Sequence, residues 1–142
     1  MAVKNGRYIP DASTLIKWVG LEMEDLEQAE AFREDYKNGL VKIVVPALMF
    51  WELGNYLGRH FDEETATSLF NHFQNYQIQQ ALVTLETATY TVKIMKRYPK
   101  TSFYDASYHA LAVQLDGIFL TSDKKYYDKA KSLGHIQLLK DY

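Results

Sequence analysis

The sequence predicts an α/β fold, one parallel sheet with helices on both faces, and three observations predict it. Short apolar runs rich in β-branched residues, such as "LVKIVVP" (residues 40–46), read as buried strands. These runs alternate with longer stretches whose apolar residues recur at helical spacing, and strands separated by helices favour parallel pairing with both faces covered. No linker, repeat or low-complexity segment breaks the alternation, so residues 1–142 read as one domain.

In order, "RYIP" (7–10) is a short strand, and "ASTLIKWVG" (12–20) a helix that Gly20 ends. "EMEDLEQAEAFREDYKNG" (22–39) is a charged amphipathic helix stopped by Asn38-Gly39. After the 40–46 strand, Pro46 marks the start of the helix "ALMFWELGNYLGRHF" (47–61). A second helix, "EETATSLFNHFQNY" (63–76), follows with Asp62 as its cap. "IQQALVTL" (78–85) is a strand and "ETATYTVKIMKRY" (86–98) a helix terminated by Pro99. "SFYDASYHALAVQLDG" (102–117) is a helix, "IFLT" (118–121) a strand, "DKKYYDKAKSLG" (123–134) a helix ended by Gly134, and "HIQLL" (135–139) the last strand.

Composition sets outer limits. At 142 residues and 47% hydrophobic, the chain supports one core and is too short for two. With 24% charged residues and three prolines it does not have a disordered composition. The absence of cysteine excludes disulfides, thiol nucleophiles and cysteine-rich zinc sites, and fits a reducing compartment. "MAVKNGRYIP" lacks the apolar run of a signal peptide, and no later segment approaches a membrane span. The expectation is a soluble cytoplasmic protein with no membrane partner. A net charge of −2 rules out a polycation, so nucleic-acid contact would come from local basic patches or bound metal.

Four acids stand out on this frame. Asp11 follows the first strand, Glu52 lies in the helix after the second, Asp123 follows "IFLTS", and Asp105 sits in the first turn of its helix. In open parallel sheets, sites form at the carboxyl ends of the strands. Three of the four are therefore expected at one edge, and Asp105 joins them if its helix begins there. Each acid also has a plain structural role open to it. Asp11 and Asp123 are placed as helix N-caps, Asp105 closes an S-x-x-D pattern with Ser102, and Glu52 fits a solvated helix face.

Convergence would have an electrostatic consequence. Two carboxylates about 4 Å apart repel by roughly 4 kcal/mol at an effective dielectric near 20, so four would take up protons or a cation. Oxygen-rich clusters without histidine or cysteine suit Mg²⁺ or Mn²⁺ rather than zinc. Such ions activate water and stabilise a leaving oxygen, which favours phosphodiester hydrolysis.

The stretches "YIPDASTLIKW", "VPALMFWELGNYL" and "SFYDASYHALAVQLDGIFLTSDKKYYDKAKSLG" together resemble the PIN domain family, with its Rossmann-like sheet, and in particular the small toxin nucleases of the VapC type. The likeness runs over nearly the whole chain, and its strongest element is "YDASYHALA" followed by "GIFLTSDKKYY". The resemblance implies that Asp11, Glu52, Asp105 and Asp123 form the catalytic, metal-binding quartet of a Mg²⁺- or Mn²⁺-dependent ribonuclease. Ser13 and Thr121 would support it through their hydroxyls, and Asp128, one turn beyond Asp123, would contribute. It further implies a homodimer and inhibition by a small antitoxin that inserts into the active-site groove.

Basic residues give the RNA reading separate support. Lys93, Lys96 and Arg97 share a helix face, with Lys100 just beyond, and Lys124, Lys125 and Lys129 follow Asp123 directly, where they could grip phosphates. The same residues also complement a helix dipole or solvate a helix face. The four histidines show no close pair of the H-x-x-x-H kind, so no zinc site is expected. The aromatic "MFWEL" cluster reads as core or dimer interface. Two other function classes remain open. An aspartyl-phosphate enzyme would use Asp11 as nucleophile, but a phosphatase of the haloacid-dehalogenase type wants an aspartate two residues on, where this chain has Ser13. A catalytically silent PIN-like module would bind RNA or protein, though it would have no reason to keep four repelling charges together.

Overall fold

In the computed structural model, which describes residues 5–22 and 24–142, five parallel strands run in the order β3-β2-β1-β4-β5. They are β1 (Arg7–Pro10), β2 (Lys42–Pro46), β3 (Gln79–Ala81), β4 (Ile118–Thr121) and β5 (Ile136–Leu138). Among the described residues seven helices flank them: α1 (Ala12–Leu15), α2 (Leu26–Lys37), α3 (Leu48–His60), α4 (Glu63–Gln74), α5 (Leu85–Arg97), α6 (Phe103–Gln114) and α7 (Lys124–Ala130). The α/β reading therefore holds in class, direction and element order.

Central position explains the composition of the strands. β1 and β2 are buried at every residue but the first, because helices exclude water from both of their faces. Tyr8, Ile9, Val45 and Leu120 have no exposed surface. α6 is buried all round, from Ala106 to Ala112 without a break, which is the signature of a helix enclosed by the fold rather than lying on it. Its alanines let it sit close to the sheet and to α5.

Element ends differ from the sequence reading where local chemistry overrides periodicity. The helix expected over 12–20 is α1 followed by a 3₁₀ turn, Ile16–Val19, which Gly20 closes at φ +85°. The helix expected over 22–39 starts only at Leu26, after Asp25 in a left-handed conformation, and its early residue Met23 lies outside the described residues, as do residues 1–4. Pro46 ends β2 rather than opening α3. The strand expected over 78–85 shrinks to three residues, since Thr84 caps α5 by accepting the Thr87 N–H. Asp62 caps α4 as expected, accepting the Thr65 N–H at 2.8 Å. No helix among the described residues is long and apolar enough to cross a membrane.

The switch in strand order matters most for function. The chain leaves β1 towards β2 on one side and returns to β4 on the other, so a crevice opens beyond the carboxyl ends of β1 and β4. Close packing of those two strands depends on Gly117, where a Cβ would stand 2.7 Å from the Arg7 carbonyl oxygen and 2.8 Å from Ile9 Cδ1. Gly117→Ala is expected to cost about 1–3 kcal/mol, as overpacking does. Urea unfolding of the two proteins checks this, and an unchanged midpoint would show that β1 yields freely.

Candidate active site

Register delivers the first two acids to that crevice. Pro10 pairs with Leu120 across β1 and β4, so Asp11 emerges opposite Thr121. The Thr121 hydroxyl donates to Asp11 Oδ2 at 2.6 Å and accepts the Asp123 backbone N–H at 3.0 Å. One buried side chain thus ties the two strand-end aspartates together. The other Asp11 oxygen, Oδ1, accepts from the Ser13 hydroxyl at 2.6 Å and from the Thr14 N–H at 3.0 Å. Asp11 is therefore an N-cap in fact, and its carboxylate is held by three donors, the Ser13 and Thr121 hydroxyls and the Thr14 N–H. Asp123 is also a cap, accepting the Tyr126 N–H at 2.9 Å.

Helices supply the other two. α3 leaves the carboxyl end of β2 and carries Glu52 in its second turn. α6 starts at the same edge, with Ser102 capping it through the Asp105 N–H at 3.0 Å, so Asp105 stands in the first turn. The condition set for Asp105 by the sequence is met. All four acids line one cavity of about 140 Å³ together with Ser13 and Thr121.

Electrostatics show that the acids sense one another. Burial pushes the Asp11 carboxyl up from its ordinary pKa, and hydrogen bonds from Ser13, Thr121 and Thr14 oppose the rise. Burial also raises Glu52; the Tyr108 hydrogen bond opposes this, and the charges of Asp11 and Asp105 add to it. Among the described residues no lysine or arginine lines the cavity to balance this charge.

Hydroxyl directions sharpen the point. Ser13 and Thr121 both spend their protons on Asp11, and Tyr108 donates its own to Glu52 Oε1 at 2.8 Å. Tyr126 bonds His109 Nδ1 at 2.9 Å, while His109 Nε2 lies 2.7 Å from the Gly134 carbonyl oxygen. A carbonyl only accepts, so Nε2 carries the imidazole proton, Nδ1 is bare, and Tyr126 must donate to it. The hydroxyls of Ser13, Tyr108, Thr121 and Tyr126 thus each give their proton to a named acceptor. Carboxylate oxygens suit a hard, hydrated cation, whose waters are donors. Among the described residues no three carboxylate, imidazole or thiol groups stand together closely enough to hold a metal ion between them.

The remaining sequence candidates lie elsewhere. Asp128 accepts from Lys124 and has Lys131 Nζ 3.9 Å away, and the Lys124 hydrogen bond lowers its pKa; it does not line the cavity. Lys124 and Lys125 are exposed beside Asp123 in the first turn of α7. Lys93 borders a separate groove with Leu85, Tyr90 and Val113, and the Arg97 guanidinium lies 5.4 Å from the Tyr98 ring centroid. Sequence reasoning missed Tyr108 and Tyr126 as cavity walls. The signal for each was spacing, since they lie three residues after Asp105 and Asp123 and so share a helix face with them.

Comparison with known proteins agrees with this geometry. Residues 8–132 match the family model described as "PIN domain". No curated relative matches by sequence. Among solved structures, a toxin-antitoxin complex from Klebsiella pneumoniae is similar with a TM-score of 0.70 at 11% identity, covering 93% of this chain and 97% of that one. VapBC2 from Rickettsia felis, bound to a DNA fragment from their promoter, gives 0.69 at 11% identity over 93% and 96%. PAE2754 from Pyrobaculum aerophilum gives 0.66 at 19% identity over 96% and 86%. At these identities the likenesses speak for the fold, while the family match spans most of the chain, which therefore belongs to the PIN domain family.

Proposed function

We propose that this chain is a Mg²⁺- or Mn²⁺-dependent endoribonuclease of the VapC type, a single cytoplasmic domain that serves as the toxin of a type II toxin–antitoxin pair. The observation that carries this reading is the cavity itself, lined by all four acids and, among the described residues, by no lysine or arginine, with Ser13, Thr121 and Tyr108 donating their protons to its carboxylates. Family membership and the toxin–antitoxin context of structural neighbours support it.

In this reading Asp11, Glu52, Asp105 and Asp123 hold the ion or its waters. A divalent cation bound there polarises a phosphoryl oxygen and lowers the pKa of water. The protein's own contribution is preorganisation. Ser13, Thr14 and Thr121 fix the Asp11 carboxylate, and Tyr108 fixes Glu52, so little reorganisation remains when substrate arrives. Lys124 and Lys125, beside Asp123, contact the RNA backbone, with Lys93 and Arg97 further along it. Asp128 acts indirectly, by holding Lys124. Trp51, Leu82 and Leu85 are 78%, 81% and 84% exposed, and such apolar surface supports a protein partner, here a second copy of the chain and a small antitoxin.

The test is cleavage of a mixed pool of single-stranded and structured RNA with Mg²⁺, with Mn²⁺ and with chelator. Cutting that needs the metal is expected. Failure to cut with either ion, joined to no Mn²⁺ uptake by calorimetry, would leave a silent binding module in its place. Thr121→Val gives a finer check, since it keeps shape but removes the hydroxyl that joins Asp11 to the Asp123 backbone. Mg²⁺ dependence of the rate is expected to shift about 10–100-fold towards higher metal, the usual cost of losing an outer-shell partner. An unshifted titration would make Thr121 a packing residue only.

A further inference from the structure

His109 holds no ion in the reading above, yet it is wholly buried in α6, one residue past Tyr108. Of the residues lining the cavity it packs against Tyr126, with ring centroids 5.7 Å apart, and Phe119, at 5.9 Å. Its two nitrogens are both used, Nε2 on the Gly134 carbonyl and Nδ1 on the Tyr126 hydroxyl. The turn ending in Gly134 therefore fixes which tautomer exists, and the tautomer fixes which way the tyrosine proton points. Burial lowers the His109 pKa, which keeps the ring neutral and Nδ1 free to accept.

Direction matters because of what else is near. Burial raises the Tyr126 pKa, and the charges of Asp105 and Asp123 add to the rise, so these two carboxylates are close enough for its hydroxyl to feel. Leaving a buried hydroxyl donor unpaired is costly, so it turns to an acceptor within reach. Without His109, the carboxylates of the cavity that Tyr126 lines are acceptors open to it, and a proton donated there occupies lone pairs that a cation's waters need.

We propose that His109 is a positioning residue for the cation site: it draws the Tyr126 proton away from the cavity and so keeps Asp105 and Asp123 free to receive a hydrated divalent ion. This inference rests on the metal-site reading. It differs from a packing role in one respect, since the harm of losing His109 runs through the Tyr126 hydroxyl and disappears when that hydroxyl is removed.

Mn²⁺ binding by calorimetry on four proteins tests it, with melting curves to check folding. Wild type binds. His109→Leu is expected to bind about 10-fold more weakly, at the lower end of outer-shell effects. Tyr126→Phe alone sets the level of binding without the hydroxyl, and His109→Leu with Tyr126→Phe is expected to bind at that level, more tightly than His109→Leu alone. A fifth protein, His109→Asn, sets an amide oxygen near the Nδ1 position and is expected to bind like wild type. Should the single leucine variant not fold, the double variant still decides, because it leaves no orphaned hydroxyl. Weak binding by a folded double variant, or wild-type binding by His109→Leu, would overturn the inference while the metal site stands. No Mn²⁺ binding by wild type would remove the metal-site reading and this inference with it.

Discussion

Asp11→Asn is expected to abolish metal-dependent cleavage while leaving the fold intact. Asparagine caps a helix about as well as aspartate, and its carbonyl oxygen can still accept from the Ser13 hydroxyl and the Thr14 N–H. The cost falls on the second oxygen, where an NH₂ group would face the Thr121 hydroxyl that now donates to Oδ2. Turning that hydroxyl loses one charge-assisted hydrogen bond. Against this, the swap removes a carboxylate that burial already disfavours. The two effects offset to within about 1 kcal/mol, the size of one net hydrogen bond. Activity has no such compensation. Outer-shell partners of metals cost about 10–100-fold when lost, so a ligand charge is expected to cost more than about 100-fold in kcat/KM. Equal cleavage by the two proteins would reduce Asp11 to its cap and move the chemistry elsewhere. Metal-dependent cutting by wild type alone, with coincident melting curves, would assign the charge to catalysis.

The two roles of Asp11 also show why a sequence reveals some of this site and hides the rest. Strand ends and helix starts are legible, since "YIPDAS" and "FLTSDKK" each carry an apolar run, a polar turn and a cap. Once strand order is known, those two places must be neighbours, and the acids come with them. Order itself is not local information: β1 meets β4 across more than a hundred residues of chain, with Tyr8 opposite Ile118. The Thr121 bridge depends on that register and was legible only through resemblance. Tyr108 and Tyr126 went unread for a different reason. A tyrosine inside a helix is ordinary core, and both are nearly fully buried. What makes them walls of a site is the direction of one proton each, fixed by Glu52 in one case and by a histidine bonded to a distant turn in the other. Likewise the β3 strand was read too long because 82–85 is apolar, while Thr84 spends that stretch on capping α5.

Glu52→Gln is expected to stabilise the metal-free protein at neutral pH and to reduce its response to Mg²⁺. Tyr108 can donate to an amide oxygen as it does to Glu52, so the change removes charge and little else. The sign follows from linkage. The folded-state pKa of Glu52 is raised, by burial first and by the charges of Asp11 and Asp105 besides. A raised group stabilises the fold while protonated, and that contribution is lost as pH climbs through its folded pKa. Metal-free wild type therefore loses stability between the ordinary carboxylate range and neutrality, and Asp11, raised in the same direction, adds to the loss. The glutamine variant escapes its share, so it is expected to melt above metal-free wild type at neutral pH, and the gap closes in acid. Adding Mg²⁺ at 100 times its dissociation constant is expected to return about 2.7 kcal/mol to wild type, some 5–10 °C, because the ion binds only the folded chain. Since its carboxylate ligands must be deprotonated, that gain fades as pH falls. Thermal melts of both proteins from mildly acid to neutral pH, with and without Mg²⁺, read all of these terms. A variant less stable than wild type at neutral pH without metal would mean that Glu52 serves the fold as an anion, held by Tyr108, and that the strain assigned to the acidic cavity is absent.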